Sequence, residues 1–301
     1  MQDALRRKVR RMSASPLFPV VEPWISVEGE LCENPLWDER TQTLYWCDIP
    51  RGRVYAKGWE DSGARLVYEG GIVGGFTFED DGALLLFRER DVTRLERDGS
   101  ASLVRTFNEP GNKRFNDVIA DPAGRVFAGT IGETSESGGL YRFDLDGGME
   151  RVAGGTGCSN GMGFSPDLRT FYWTCSTRRR IFAYPYDAGS GELGAPRVLF
   201  ENEEGDGVPD GMTVDAAGNL LVARWGAREF GLLVLTPDGT VTHRIRTGAK
   251  CTTAPAFCGP ELRDLALTSA ASSDDPARAA DLFLVKELPV AGRAEFRSKL
   301  A

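Results

Sequence analysis

Glu33, Asn116, Asn160 and Asp210 are the residues of this chain whose types and spacing could do chemistry. All four carry side-chain oxygen, and each has a turn-forming follower: Asn34-Pro35, Asp117, Gly161 and Gly211. Such oxygens gathered without histidine or cysteine select a hard divalent cation such as Ca²⁺, Mg²⁺ or Mn²⁺. Unpaired carboxylates packed together would repel and carry a desolvation cost, which a cation offsets. The competing reading makes these side chains turn residues that bond their own backbone. A weaker version keeps the cation as a purely structural plug. His243 is the one histidine in the chain, so His-rich zinc sites are excluded and a Ser-His-Asp triad could use only that residue.

The elements that must position these groups emerge from an internal repeat. Six segments share an acidic or Pro/Gly turn followed by an apolar, often aromatic strand: WDERTQTLYWCD, FEDDGALLLFRE, ADPAGRVFAGTI, FSPDLRTFYWTC, VDAAGNLLVARW and CGPELRDLALTS. They start at 37, 78, 120, 164, 214 and 258, a period of about 44 residues. A second strand follows each (GRVYAKG, VTRLERDG, GLYRFDLDG, RIFAYPYDAGSG, GLLVLTPDG, DLFLVKELPVAG), and most end in an Asp/Gly hairpin turn. No segment sustains a 3.6-residue period. Six all-β units of this length predict a six-bladed β-propeller with four-stranded blades. One domain is expected over 20–301, with EPWISVEG pairing with the last blade to close the ring. A β-sandwich is the alternative, but it does not predict regular spacing.

The position four residues before each repeat start is where the innermost strand of a blade begins. It is occupied by Glu33, Gly74, Asn116, Asn160, Asp210 and Ala254. Four polar groups at one phase therefore converge on the central channel. The loop after the returning strand 125–130 lies beside them and brings Glu133, and Arg114 stands on the same rim. Cys32 and Cys158 flank Glu33 and Asn160, and strand alternation is expected to point both thiols away from the channel. The aromatics of LYW, FYW and VARW are read as packing between blades. His243, in a late strand of the fifth repeat, is read as structural.

Composition narrows the partners. With 36 Lys+Arg against 44 Asp+Glu, the net charge of −8 argues against nucleic acid or an anionic membrane. No apolar run is long enough for a membrane helix. Residues 1–19, with Arg6, Arg7, Lys8, Arg10 and Arg11, read as a basic flexible arm rather than a secretory signal. The six cysteines lack Cys-x-x-Cys spacing and read as free thiols in a cytoplasmic protein.

ENPLWDERTQTLYWCDI, RFNDVIADPAGRVFAGT, CSNGMGFSPDLRTFYW and VPDGMTVDAAGNLLVARW resemble the senescence-marker-protein/gluconolactonase family, the regucalcin-like sugar lactonases. The resemblance runs in register over about residues 28–270. It implies a six-bladed propeller with one divalent cation in the channel, whether Ca²⁺, Mn²⁺, Mg²⁺, Zn²⁺ or Fe²⁺. It implies Glu33, Asn160 and Asp210 as metal ligands, Arg114, Asn116 and Glu133 as substrate contacts, and Asp210 as general base. The chain departs from the family at Cys175 (often Asp), at Gly163 (Asp or Ala) and in WGAREFG, which replaces a Gly-rich WGG stretch. These departures alter the channel wall and mouth.

The implied activity is hydrolysis of a small-molecule sugar lactone, an aldonolactone, to the sugar acid by a monomer or small homo-oligomer. The cation would polarise the carbonyl and stabilise the oxyanion, and Asp210 would take a proton from water. Ligation lowers a carboxylate's basicity, so the competing version has Asp210 orienting a hydroxide on the cation. The alternatives are a non-catalytic calcium-binding or interaction propeller and a lactonase or esterase for a non-sugar ester.

Overall fold

Each repeat folds as an antiparallel meander because short β-branched and aromatic runs alternate with turns built by acidic side chains. In the third repeat Asp121 Oδ1 accepts the amides of Ala123, Gly124 and Arg125, each at 2.9 Å. Gly124 sits there at φ 100°, a conformation that a side chain would strain. The computed structural model describes residues 19–229, 231–272 and 281–301, so the predicted N-terminal arm, apart from Pro19, lies outside the described residues.

Among the described residues the chain is all strand, in six four-stranded sheets arranged as a six-bladed propeller. Strand β1 is Val20–Ser26. Blade 1 is β2 (Cys32–Asp38), β3 (Thr43–Asp48), β4 (Arg53–Gly58) and β5 (Arg65–Glu69). Blade 2 is β6 (Val73–Phe78), β7 (Leu84–Arg88), β8 (Asp91–Leu95) and β9 (Ala101–Thr106). Blade 3 is β10 (Asn112–Ala120), β11 (Val126–Gly132), β12 (Gly138–Phe143) and β13 (Met149–Thr156). Blade 4 is β14 (Ser159–Phe164), β15 (Thr170–Cys175), β16 (Arg180–Pro185) and β17 (Arg197–Glu201). Blade 5 is β18 (Val208–Val214), β19 (Leu220–Trp225), β20 (Leu232–Leu235) and β21 (Val241–Ile245). Blade 6 is β22 (Thr252–Cys258), β23 (Asp264–Ser269) and β24 (Asp281–Lys286), completed by β1. The predicted closure holds: β1 pairs antiparallel with β24, from Val20 opposite Lys286 to Ser26 opposite Asp281.

The hydrophobic core is distributed as one cluster per interface between blades. Trp46 and Trp173 are buried there as expected, whereas Trp225 is 38% exposed. None of the six cysteines is joined in a disulfide. No helix among the described residues is long and apolar enough to cross a membrane.

A feature absent from the repeat pattern crosses the opposite end of the channel from the predicted site. The C-terminal strap, residues 291–301, bonds to all six blades. Ala291 accepts from Ala216 of blade 5 (2.9 Å) and Gly292 donates to Leu262 of blade 6 (2.8 Å). Arg293 donates to the Phe164 carbonyl of blade 4 (2.8 Å), and the guanidinium of Arg297 pairs with Asp38 of blade 1. Ser298 donates to Phe78 of blade 2 (2.8 Å), and Lys299 to Gly124 of blade 3 (2.9 Å). The strap thus ties together the far ends of all six inner strands.

Candidate metal centre and active-site mouth

The shared phase has a backbone cause. Every inner strand shifts register at the same point: Glu33/Leu36, Val73/Gly75, Phe115/Val118, Asn160/Met162, Pro209/Met212 and Thr252/Pro255. A bulge there re-aims side chains and bends the strand. Asn34 and Asp117 adopt positive φ of 49° and 54° within these bulges. Gly161 lets neighbouring blades approach, since a Cβ there would stand 2.5 Å from the Asp210 carbonyl and 2.6 Å from the Met212 nitrogen. Inner strands are also cross-bonded between blades: Asn116 Nδ2 donates to the Ser159 carbonyl (2.8 Å) and Thr253 Oγ1 to that of Cys32 (2.6 Å).

Glu33, Arg114, Asn116, Asn160 and Asp210 line one cavity of ≈ 390 Å³ at the mouth of the channel. Asn160 Nδ2 donates to Ser176 Oγ (3.2 Å), and that hydroxyl donates to the Pro209 carbonyl (2.7 Å). The relay holds the amide so that Asn160 Oδ1 is buried without a hydrogen-bond partner. Asp210 Oδ1 is buried in the same unpartnered state. Glu33 accepts the Asn34 amide at 3.0 Å. Burial and the nearby Asp117 carboxylate push the Glu33 carboxyl up to about 8, against the pull of the Asn34 N–H and Arg114. Asp210 is raised well above the usual carboxylate range by burial and by Glu33 and Asp117.

Two orphaned oxygens beside two destabilised carboxylates are what a hard cation satisfies, so Glu33, Asn160 and Asp210 fit one. The set is mixed: among the described residues no three His, Cys, Asp or Glu side chains cluster as a metal site, and the Asn160 amide would have to supply the third donor.

Arg114 Nη1 donates to the Phe115 carbonyl and to Asn116 Oδ1, both at 2.8 Å. Its other N–H groups have no partner among the described residues, and burial holds the guanidinium below its usual value. Asn116 is held from both ends, by Arg114 and Ser159. Glu133 is exposed in the loop after β11, its amide bonded to the Gly111 carbonyl at 2.8 Å, and it does not line the mouth cavity.

Cys158 corrects the alternation argument. It lies two residues before Asn160, so both share a side, and Cys158 lines the mouth. Burial, then Asp210, pushes its thiol up to about 12, which keeps it neutral at pH 7. Cys32 is buried in the packing between blades 1 and 6. Cys175 is buried, its thiol 3.0 Å from Thr156 Oγ1, and Gly163 lines a lower cavity. His243 is exposed on the outermost strand of blade 5. Ser176 and Trp225 were missed by sequence reasoning, although each follows or ends a returning strand, the signal that led to Glu133.

Below the bulges, a cavity of ≈ 60 Å³ separates this floor from the strap. Asp117 and Glu295 of the strap both line it. Burial pushes each carboxyl up to about 7; Glu295 also raises Asp117, while Glu39 raises and Arg293 lowers Glu295. A raised folded value means stability is fully present below the unfolded value near 4.5 and lost as pH rises through about 7. Metal-stripped Glu295→Gln is therefore expected to be more stable than wild type at pH 8, by about 1–2 kcal/mol since the carboxyl is only partly buried, and to match it below about pH 4. Thermal melts across that range check this, and parallel curves for the two proteins would refute it.

Residues 31–271 match the family model described as the SMP-30/Gluconolactonase/LRE-like region. The chain is similar to pentonolactonase XacC of Haloferax volcanii, 38% identical over 285 residues, 91% of this chain and 96% of that one. It is 32% identical to the 6-deoxy-6-sulfogluconolactonase of Pseudomonas putida, over 83% of this chain and 87% of that protein. Among solved structures, a calcium-binding protein, regucalcin, from Agrobacterium tumefaciens superposes with a TM-score of 0.85 at 25% identity, covering 93% of this chain and 98% of that one. A family match spanning the six inner strands, joined to relatives alike along nearly their whole length, makes this chain a member of the SMP-30/gluconolactonase/LRE-like family.

Proposed function

We propose that the protein is a divalent-cation-dependent lactonase that opens a sugar lactone to its acid. The observation that carries this reading is the pair of buried, unpartnered oxygens, Asn160 Oδ1 and Asp210 Oδ1, at the floor of an accessible mouth. The relatives named as a pentonolactonase and a sulfogluconolactonase support lactone hydrolysis, and the regucalcin likeness supports calcium or a similar ion.

Glu33, Asn160 and Asp210 would hold the cation. When bound, the ion supplies Lewis acidity toward the lactone carbonyl and the oxyanion that develops on it. Asp210 accepts a proton from the attacking water as the new C–O bond forms. The ring C–O bond then breaks, and the departing alkoxide takes the proton held on Asp210, giving the hydroxy acid and returning Asp210 to its carboxylate form. Arg114, anchored through Nη1, directs its remaining N–H donors to the lactone oxygens, and Asn116 keeps that guanidinium in place. Glu133, at the exposed rim, accepts hydroxyl donors from a longer polyol.

Proton release on a panel of aldonolactones tests the reading, comparing chelator-stripped protein with protein reloaded with Ca²⁺, Mn²⁺, Mg²⁺, Zn²⁺ or Fe²⁺. Turnover is expected to vanish on stripping and to return with at least one ion. Stoichiometric metal binding without turnover of any lactone would replace this reading with a non-catalytic cation-binding propeller.

A further inference from the structure

The mouth has two tiers, the upper one two residues earlier in each repeat, at or just before the start of the inner strand. The lower tier holds the polar groups described above. The upper tier reads Leu31, Ile72, Arg114, Cys158, Val208 and Thr252. Of these, Leu31, Arg114, Cys158 and Val208 line the cavity, so the collar above the polar floor is largely apolar with one guanidinium.

Trp225 completes this collar. It is the last residue of β19 and pairs directly with Val208, the first residue of β18, so the two side chains lie on one face of blade 5. Both line the mouth, and Trp225 is 38% exposed, in contrast to the buried tryptophans Trp37, Trp46 and Trp173. An indole open to water at a polar mouth can gain free energy by covering its face with a ligand. Cyclic esters of polyhydroxy acids suit that arrangement, because their hydroxyls project from the ring edge while a face presents mainly C–H bonds.

We propose that Trp225 is a specificity-determining residue, a platform on which the C–H face of the lactone ring lies while Arg114 and the floor take its oxygens. This rests on the lactonase reading above. The substrate class it names is a compact, ring-closed polyhydroxy acid, held by its face as well as by its polar edge. Blade 5 then supplies both the proton acceptor, Asp210, and the apolar face, so ring position relative to that carboxylate is set within one blade.

The test is steady-state proton release by the metal-loaded proteins on neutral aldonolactones. Trp225→Ala is expected to raise KM by about tenfold with kcat within about twofold, since stacking acts on the ring rather than on the reacting bond. Trp225→Phe is expected to recover most of that loss. The product acid should quench indole fluorescence in the wild type and less so in Trp225→Phe. An unchanged KM in Trp225→Ala, or a fall in kcat accompanied by a lower melting temperature, would overturn the platform while leaving the lactonase reading intact. A wild type inactive on every lactone would remove both.

Discussion

Asp210→Asn is expected to lower kcat/KM on a sugar lactone by about a thousandfold at saturating cation. The loss should come without unfolding. Asp210 is 4% exposed, and its carboxyl is raised by burial, Glu33 and Asp117. An amide keeps the shape and removes one of those mutually repelling carboxylates, so the metal-stripped variant should melt no lower than wild type. Initial rates, titration calorimetry with the preferred cation and thermal melts check the three parts. Weakened cation affinity together with lost turnover identifies Asp210 as a ligand, while retained affinity with lost turnover identifies it as the base alone. Wild-type rates would dismiss it from the chemistry, and a lower melting point with normal rates would make its role structural.

Removing residues 291–301 is expected to destabilise the protein by about 5 kcal/mol, or about 10 °C in melting temperature. The main contributions are identifiable. Arg297 and Asp38 are 8% and 6% exposed, and cutting the strap strands Asp38 without its cation. Ser298 Oγ donates to Glu79 Oε1 at 2.6 Å, and Phe296 and Leu300 pack against the interface of blades 2 and 3. The milder Arg297→Ala should lose part of that amount. A shift below about 3 °C on truncation would mean that the β1–β24 pairing alone closes the ring, with the strap peripheral.

Much of this molecule is legible in its sequence. The 44-residue period rests on local chemistry: Asp121 and Asp215 each organise their own turn, through bonds to residues two to four positions on. The phase of Glu33, Asn116, Asn160 and Asp210 followed from that period, and the mouth gathers all four. Glu133 followed from topology alone and lies on the exposed rim, because a loop's position in chain order does not say whether its side chain turns inward.

What the chain alone determined about this protein is therefore its class, its six units and the tier carrying its polar groups, all set by contacts within a few dozen residues. What the tertiary structure decided is which atoms are left without partners and which surfaces stay open. Asn160 Oδ1 is orphaned because Ser176 takes the other end of the amide, and Ser176 is itself held by the Pro209 carbonyl of the next blade. Trp225 is open because its place falls at the mouth rather than between blades. The strap has no repeat to announce it, for its partners are single groups at the ends of six strands, brought to one place only when the ring has closed.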